Sequence, residues 1–222
     1  MTLELTFLGH SGFLMSDGGH TLAVDPFLTG NPVATMAAGD VKCDAIALTH
    51  GHADHFGDTL AIARANNANV IAAFEMCNYL QEQGHDNVNP GNPGGRIDTE
   101  FGWVAFTHAF HSSSYEGRYM GMPCGLVVHM GGKTVYHCGD TGLFGDMKLI
   151  GEIYRPDAAC VPIGDRFTMG PDLATKAAEL IGAPVAIPIH YDTWPPIAQD
   201  PAAFAPAGVE VKVMASGDTL AI

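Results

Sequence analysis

Thr49-His50-Gly51-His52-Ala53-Asp54-His55 places three imidazoles and one carboxylate within six residues, directly after the apolar run 45–48. Imidazole and carboxylate suit zinc and other borderline divalent cations, and crowding them is costly unless a cation binds the cluster. A His pair at i, i+2 in extended chain projects to one side. A helical metalloprotease motif would instead need i, i+4. The stretch therefore reads as a loop site for metal at the end of a strand. The competing reading is a polar loop that has collected some of the chain's 11 histidines.

Outward from this motif the chain alternates strand and helix patterns. Upstream, β-rich runs at 3–8, 12–15 and 21–24 surround an Asp17-Gly18-Gly19 turn, which suggests a hairpin. Downstream, helical stretches at 59–65 and 75–83 flank a strand at 70–74, and a Gly/Pro/Asn loop covers 87–95. Strands are expected at 103–107, 126–130, 134–138, 158–163, 186–189 and 210–214, with helices at 144–153 and 173–181. Hairpins mixed with βα units indicate a layered α/β protein with a mixed sheet or two sheets. At 222 residues, with 47% apolar, the chain is expected to form one domain, 1–222, with a large core.

In open α/β sheets functional groups gather just beyond the carboxyl ends of strands. His10, Asp25, His50, His111, Asp140 and His190 all sit at or shortly after expected strand ends. His20, His85, His129 and His137 do not, and read as surface or satisfied core residues. His108 competes with His111 on the same run. Asp25 is either a site residue or a turn former before Pro26. His10 is a third-shell residue, a substrate-facing proton donor or a plain turn residue.

HxHxDH followed by a lone His, a lone Asp and a lone His in that order resembles the metallo-β-lactamase superfamily. Leu8-Gly9-His10-Ser11-Gly12, Asp25-Pro26-Phe27-Leu28-Thr29-Gly30-Asn31-Pro32, Phe110-His111-Ser112-Ser113-Ser114, Gly139-Asp140-Thr141-Gly142-Leu143-Phe144 and Pro188-Ile189-His190-Tyr191 resemble one branch of it. That branch comprises bacterial and archaeal metal-dependent hydrolases akin to ascorbate-6-phosphate lactonase and N-acyl-phosphatidylethanolamine phospholipase D. The resemblance implies a four-layer αββα sandwich with two divalent metal ions at one edge, zinc foremost and manganese or iron as alternatives. It puts His50, His52 and His111 on one metal and Asp54, His55 and His190 on the other. Asp140 would bridge them, so that Asp54 and Asp140 stand at the catalytic centre with a shared hydroxide between the metals. The branch's three-serine phrase favours His111 over His108. Asp25 matches a carboxylate that orients a ligand imidazole by hydrogen bonding.

Composition and pattern bound the function further. Ten Lys and Arg against 24 Asp and Glu give a net charge of −14, which opposes binding to nucleic acid. Five scattered cysteines with no CxxC pair point to a reducing, cytoplasmic compartment. The opening MTLELTFLGH lacks a secretory pattern, and no run offers the ~18 apolar residues of a membrane span. Export and membrane association are therefore not expected; a small-molecule substrate is, with self-association into a homo-oligomer left open.

The resemblance alone does not choose the reaction, because one fold hosts many. Exported zinc β-lactamases, glyoxalase II relatives with their helical tail and ribonuclease Z relatives with their basic arm fit this sequence less well than a small-molecule hydrolase. Di-iron flavoprotein relatives replace the second motif His with Glu, so His52 argues for hydrolysis. Arg118 and Arg166 lie in long loops and are candidates to hold a substrate carboxylate or phosphate, or else are solvated. Phe167, Met169, Tyr191 and Trp194 are candidates for an apolar wall. Lactone, phosphodiester and amide remain open as substrates. The rival class is a metal-stabilised binding or regulatory protein without turnover.

Overall fold

The computed structural model describes residues 2–222. In chain order it contains β1 (Glu4–Gly9), β2 (Gly12–Ser16), β3 (Thr21–Val24), β4 (Ala45–Ala47), α1 (Ala53–Phe56), α2 (Thr59–Asn66), β5 (Asn69–Ala73), α3 (Phe74–Glu82) and β6 (Val88–Gly91). The second half continues with β7 (Arg96–Thr99), β8 (Gly102–His108), β9 (Ser114–Tyr115), β10 (Arg118–Tyr119), β11 (Cys124–Met130), β12 (Lys133–His137), α4 (Met147–Tyr154), β13 (Ala158–Pro162), α5 (Pro171–Ile181), β14 (Val185–Ile189), β15 (Glu210–Val211) and β16 (Thr219–Ala221).

Two seven-stranded mixed sheets face each other, in the orders β16-β1-β2-β3-β4-β5-β6 and β15-β14-β13-β12-β11-β8-β7, while β9 and β10 form a separate hairpin. Strand alternation builds the layers. In β4, Ala45 and Ala47 point into the core between the sheets while Ile46 faces the helices. In β13, Ala158 and Cys160 point inward while Ala159 and Val161 face the other helical layer. Strands covered on both faces have no polar side, so these runs are wholly buried. Helices α2 and α3 contribute Ile62, Ala63, Met76 and Leu80 to one outer layer, and α4 and α5 contribute Met147, Ile150, Ala174 and Ile181 to the other. The result is an αββα sandwich, the class the sequence points to.

Three parts differ from the sequence reading. The expected loop at 87–95 contains β6, in which Pro90 is accommodated because β6 is an edge strand that does not need every amide in its ladder. The edge strands β7 and β16 were not expected either; each is short, and a short edge strand carries little apolar alternation. The metal motif is only partly a loop: Asp54 and His55 lie on the single turn of α1.

Candidate metal centre

The strand ends of both sheets converge on one site. His10 follows β1, Asp25 follows β3, and His50 and His52 follow β4. His111 lies three residues past β8, Asp140 three past β12, and His190 one past β14. Several occupy the left-handed region that few non-glycine residues adopt, at φ 59° for His10, 43° for Asp25 and 55° for His190. Such conformations persist where surrounding structure enforces them and cluster at functional sites.

The candidate ligands form three sets whose donor atoms lie within 4.8 Å of one another: His50, His52 and His111 in the first, Asp54, His55 and His190, joined by His10, in the second, and His50, His55 and Asp140 in a third that links the two. In the first, His50 Nε2 is 3.0 Å from His52 Nδ1, which is 3.3 Å from His111 Nε2. In the second, Asp54 Oδ2 lies 3.9 Å from His55 Nε2 and 3.7 Å from His190 Nε2. Asp140 reaches both groups. Its Oδ1 is 3.3 Å from His55 Nε2, and its Oδ2 is 3.0 Å from His190 Nε2 and 3.5 Å from His111 Nε2.

Hydrogen bonds from surrounding residues orient these rings. Asp25, fully buried, accepts from the Thr49 amide at 2.8 Å, the Thr49 hydroxyl at 2.5 Å and His55 Nδ1 at 2.7 Å. The Thr49 hydroxyl, which donates to Asp25, is 3.0 Å from His50 Nδ1 and is placed to accept from it. One carboxylate thus turns the Nε2 atoms of both His50 and His55 toward the cleft, the arrangement that fixes tautomer and ring orientation in metal sites. Ser112 Oγ sits 3.3 Å from His52 Nε2. His10 lies between Thr193 Oγ1 at 2.7 Å and Asp54 Oδ2 at 3.1 Å. Thr49, Ser112 and Thr193 are small hydroxyl residues without a spacing signature; Thr49 and Ser112 fell within phrases the sequence singled out, though with no role assigned, and Thr193 fell within none.

The charge pattern divides the site. Burial pushes the His50, His52 and His111 imidazoles down, so this group is neutral near pH 7. Burial also opposes charge on His55 and His190, but Asp140, with Asp25 beside His55 and Asp54 beside His190, outweighs it. His55 is held well above the usual imidazole range and His190 is pushed up to about 9. Burial drives His10 down to about 4 against the pull of Asp54. Burial disfavours the charged carboxylates, yet hydrogen bonds from His10 and His190 hold Asp54 ionised, and the charges of His190 and His55 do the same for Asp140.

His52, Asp54, His111, Ser112, Asp140, His190, Phe167, Trp194 and Ile197 line a cleft of about 300 Å³. Arg118 and Arg166, candidates to hold an anion or else solvated, are not among the residues that line it. Arg118 forms a bidentate pair with Glu82 and stacks over Tyr79, with its guanidinium 5.4 Å from that ring. Arg166 is exposed and lies 5.6 Å over the outer Phe167 ring. Tyr191 packs against the outer core beside α5 and borders a neighbouring hollow with Val33 and Met214, and Met169 is core. Phe167 and Trp194 reach the cleft. His108, at the end of β8, is exposed and outside both donor groups. His137 is satisfied by the Ser11 carbonyl and the Gly139 amide, and His85 by the Ala68 carbonyl.

A family model described as the beta-lactamase superfamily domain matches residues 20–191. The UPF0173 metal-dependent hydrolase of Geobacillus thermodenitrificans is 51% identical over 207 residues, covering 91% of this chain and 91% of that protein. The UPF0173 metal-dependent hydrolase of Thermus thermophilus is 48% identical over 223 residues, covering 98% of each. Among solved structures, Igni18, a metallo hydrolase from Ignicoccus hospitalis, superposes with a TM-score of 0.91 at 36% identity, over 100% of this chain and 99% of that one.

Proposed function

The chain belongs to the beta-lactamase superfamily and is a metal-dependent hydrolase of the UPF0173 family; from that premise we propose that it holds two divalent metal ions, zinc foremost and manganese or iron as alternatives, and cleaves a small molecule. The donor set fits such a pair. Five imidazoles and two carboxylates would supply seven ligands, His50, His52 and His111 on one side, Asp54, His55 and His190 on the other, with Asp140 between. His55 Nε2 and Asp140 Oδ1 are buried 3.3 Å apart, without hydrogen-bond geometry to each other or to another group, a costly arrangement that a cation would relieve. Metal held there would supply Lewis-acid chemistry, lowering the pKa of a bound water toward neutrality and polarising the electrophile.

The chain's own residues then set the geometry. Asp140 spans the two donor groups and fixes their separation. Asp25, through Thr49, locks one ring in each group, so both groups share a single buried anchor. Asp54 keeps 27% of its side chain exposed and lines the cleft, which supports a role for its ionised carboxylate beside the reacting end of the substrate. Phe167, Trp194 and Ile197 cover the apolar side of the cleft and limit the entry of bulk water. The buried, unpaired state of all five cysteines supports a reducing cytoplasmic setting, and no helix among the described residues is long and apolar enough to cross a membrane.

The observation that carries this reading is the placement of Asp140 within 3.5 Å of imidazoles from both donor groups. Elemental analysis after loading should find close to two metals per chain, and a screen of lactones, phosphodiesters and acyl amides should find turnover that chelation removes. One metal per chain contradicts the dinuclear reading. Two tightly held metals with no turnover on any class would favour the binding or regulatory role.

A further inference from the structure

The cleft contains two kinds of lining. The first is the candidate ligand set. Once those imidazoles and carboxylates face metal, the polar side chain left for a substrate is Ser112, and among the described residues no Lys or Arg lines the cleft. The second is apolar, formed by Phe167, Trp194 and Ile197.

Of the aromatic wall, Phe167 carries the exposed Arg166 guanidinium 5.6 Å over its ring. Phe167 is 57% exposed, on the loop between β13 and α5, where burial in the core does not explain it. Trp194 is held by edge contacts to His10, 5.0 Å between ring centroids, and by Phe27 at 6.0 Å. Phe110, next to His111, is 67% exposed and pairs with Phe144 at 5.3 Å on the loops that carry His111 and Asp140. Exposed Phe167 and half-buried Trp194 line the cleft while Phe110 stands outside its lining, and aromatic surface at a cleft marks a place where an apolar group can be covered. Meanwhile the net charge of −14 makes the approach of an anionic tail unfavourable away from the metals.

We propose that the part of the substrate remote from the scissile bond is a small, uncharged aromatic or alkyl group seated against Phe167 and Trp194. This rests on the hydrolytic reading of the same site for its reactive end, and goes beyond it in assigning the chemistry of the other end. Specificity then comes from apolar contact, and the anion-holding role open to Arg118 and Arg166 falls away. A cleft of about 300 Å³ lies at the lower end of ligand-pocket sizes, consistent with one ring or a short branched chain.

The test uses metal-loaded full-length protein and two amides that differ only at the remote end, phenylacetamide and 4-carboxyphenylacetamide, with binding read by saturation-transfer NMR. The neutral amide should bind at least tenfold more tightly. Phe167→Ala, a substitution at an exposed position, and Trp194→Leu should each weaken it about fivefold or more with metal content unchanged, as expected for lost aromatic packing. Arg166→Gln should leave it unaltered. Equal or tighter binding of the carboxylate form, or indifference to both aromatic substitutions, overturns the proposal. So does loss of carboxylate binding in Arg166→Gln, which would make Arg166 an anion anchor. Methyl phenylacetate is assayed in parallel. Absence of its hydrolysis alongside intact, Phe167-dependent amide binding would count against the hydrolytic reading while leaving the apolar subsite standing.

Discussion

At the scale of single residues, the site depends on which atoms have no substitute. Asp140 is the carboxylate that, among the described residues, lies within 3.5 Å of imidazoles of both donor groups, so Asp140→Ala should hold fewer than two metals and lose detectable turnover while still folding. Elemental analysis with circular dichroism checks both halves, and full metal content with retained activity would refute the bridging role. Asp25→Asn keeps the shape but replaces one accepting oxygen with a donor that faces either the Thr49 amide or both His55 Nδ1 and the Thr49 hydroxyl. Metal affinity should fall 10 to 100-fold, as when a supporting carboxylate is lost, measured by competition with a chromophoric chelator. His111→Ala should release metal, whereas His108→Ala, at an exposed position, should leave metal content and melting temperature nearly unchanged. The reverse result would assign the wrong imidazole. Asp25, His111 and Asp140 were legible from their places near strand ends and from the phrases that resemble the family. Thr49 and Thr193 were not, since a hydroxyl acquires its role only from what it touches.

At the scale of elements, two glycines separate the site from the scaffold. A Cβ on Gly151 would meet the Ile181 carbonyl at 2.0 Å, because α4 packs backbone to backbone against the end of α5. Gly151→Ala should therefore destabilise the protein by about 1–3 kcal/mol in denaturant titration, the range for forced overpacking, with metal binding intact. On Gly51 a Cβ would meet the Met120 Cβ at 2.4 Å, on the segment between His50 and His52. Gly51→Ala should have the opposite profile, a larger loss of metal affinity than of stability. Similar profiles for the two would show that motif and scaffold are mechanically one unit. Element placement was readable wherever alternation or helical period ran for several residues, as in β8, β11 and α5. It was unreadable for α1, whose four residues carry no period, and for β6, whose Pro90 and Gly91 look like loop until the neighbouring strand β5 supplies the ladder.

For the whole molecule, the division of charge between the donor groups predicts how metal binding is linked to protons. His50, His52 and His111 are already neutral at pH 7 and release nothing, while His55 and His190 are held protonated by their carboxylates. Loading at pH 7 should release at least two protons per chain, one from each, measured by calorimetry in buffers of different ionisation enthalpy. Release of none would contradict the assignment. The metal-free protein should show the matching stability profile. His190, raised to about 9 from an unfolded value of 6.5, stabilises fully below pH 6.5, and that contribution is lost as pH rises through 9. His10, lowered to about 4, contributes above pH 6.5 and loses that contribution as pH falls through 4. Melting temperature against pH should peak near 6.5 without metal, and loading should remove the alkaline decline, since a bound cation takes the place of the His190 proton.

The sequence by itself determined the chemistry and the class of scaffold: crowded imidazoles and carboxylates need a cation, and apolar runs that alternate with helical periods need a layered α/β core. It also placed His10, Asp25, His50, His111, Asp140 and His190 near strand ends, because a strand's end follows from where its apolar run stops. Only the tertiary structure decided which strand ends meet. That Asp25 grips His55, 30 residues away, depends on β3 and β4 lying side by side in one sheet, and that Asp140 reaches His55 depends on the stacking of the two sheets; no local pattern encodes either. The same holds for Arg118, drawn off to Glu82 at a separation of 36 residues. A long cation's partner is set by whichever carboxylate the fold brings within reach, and that is a property of the packed chain.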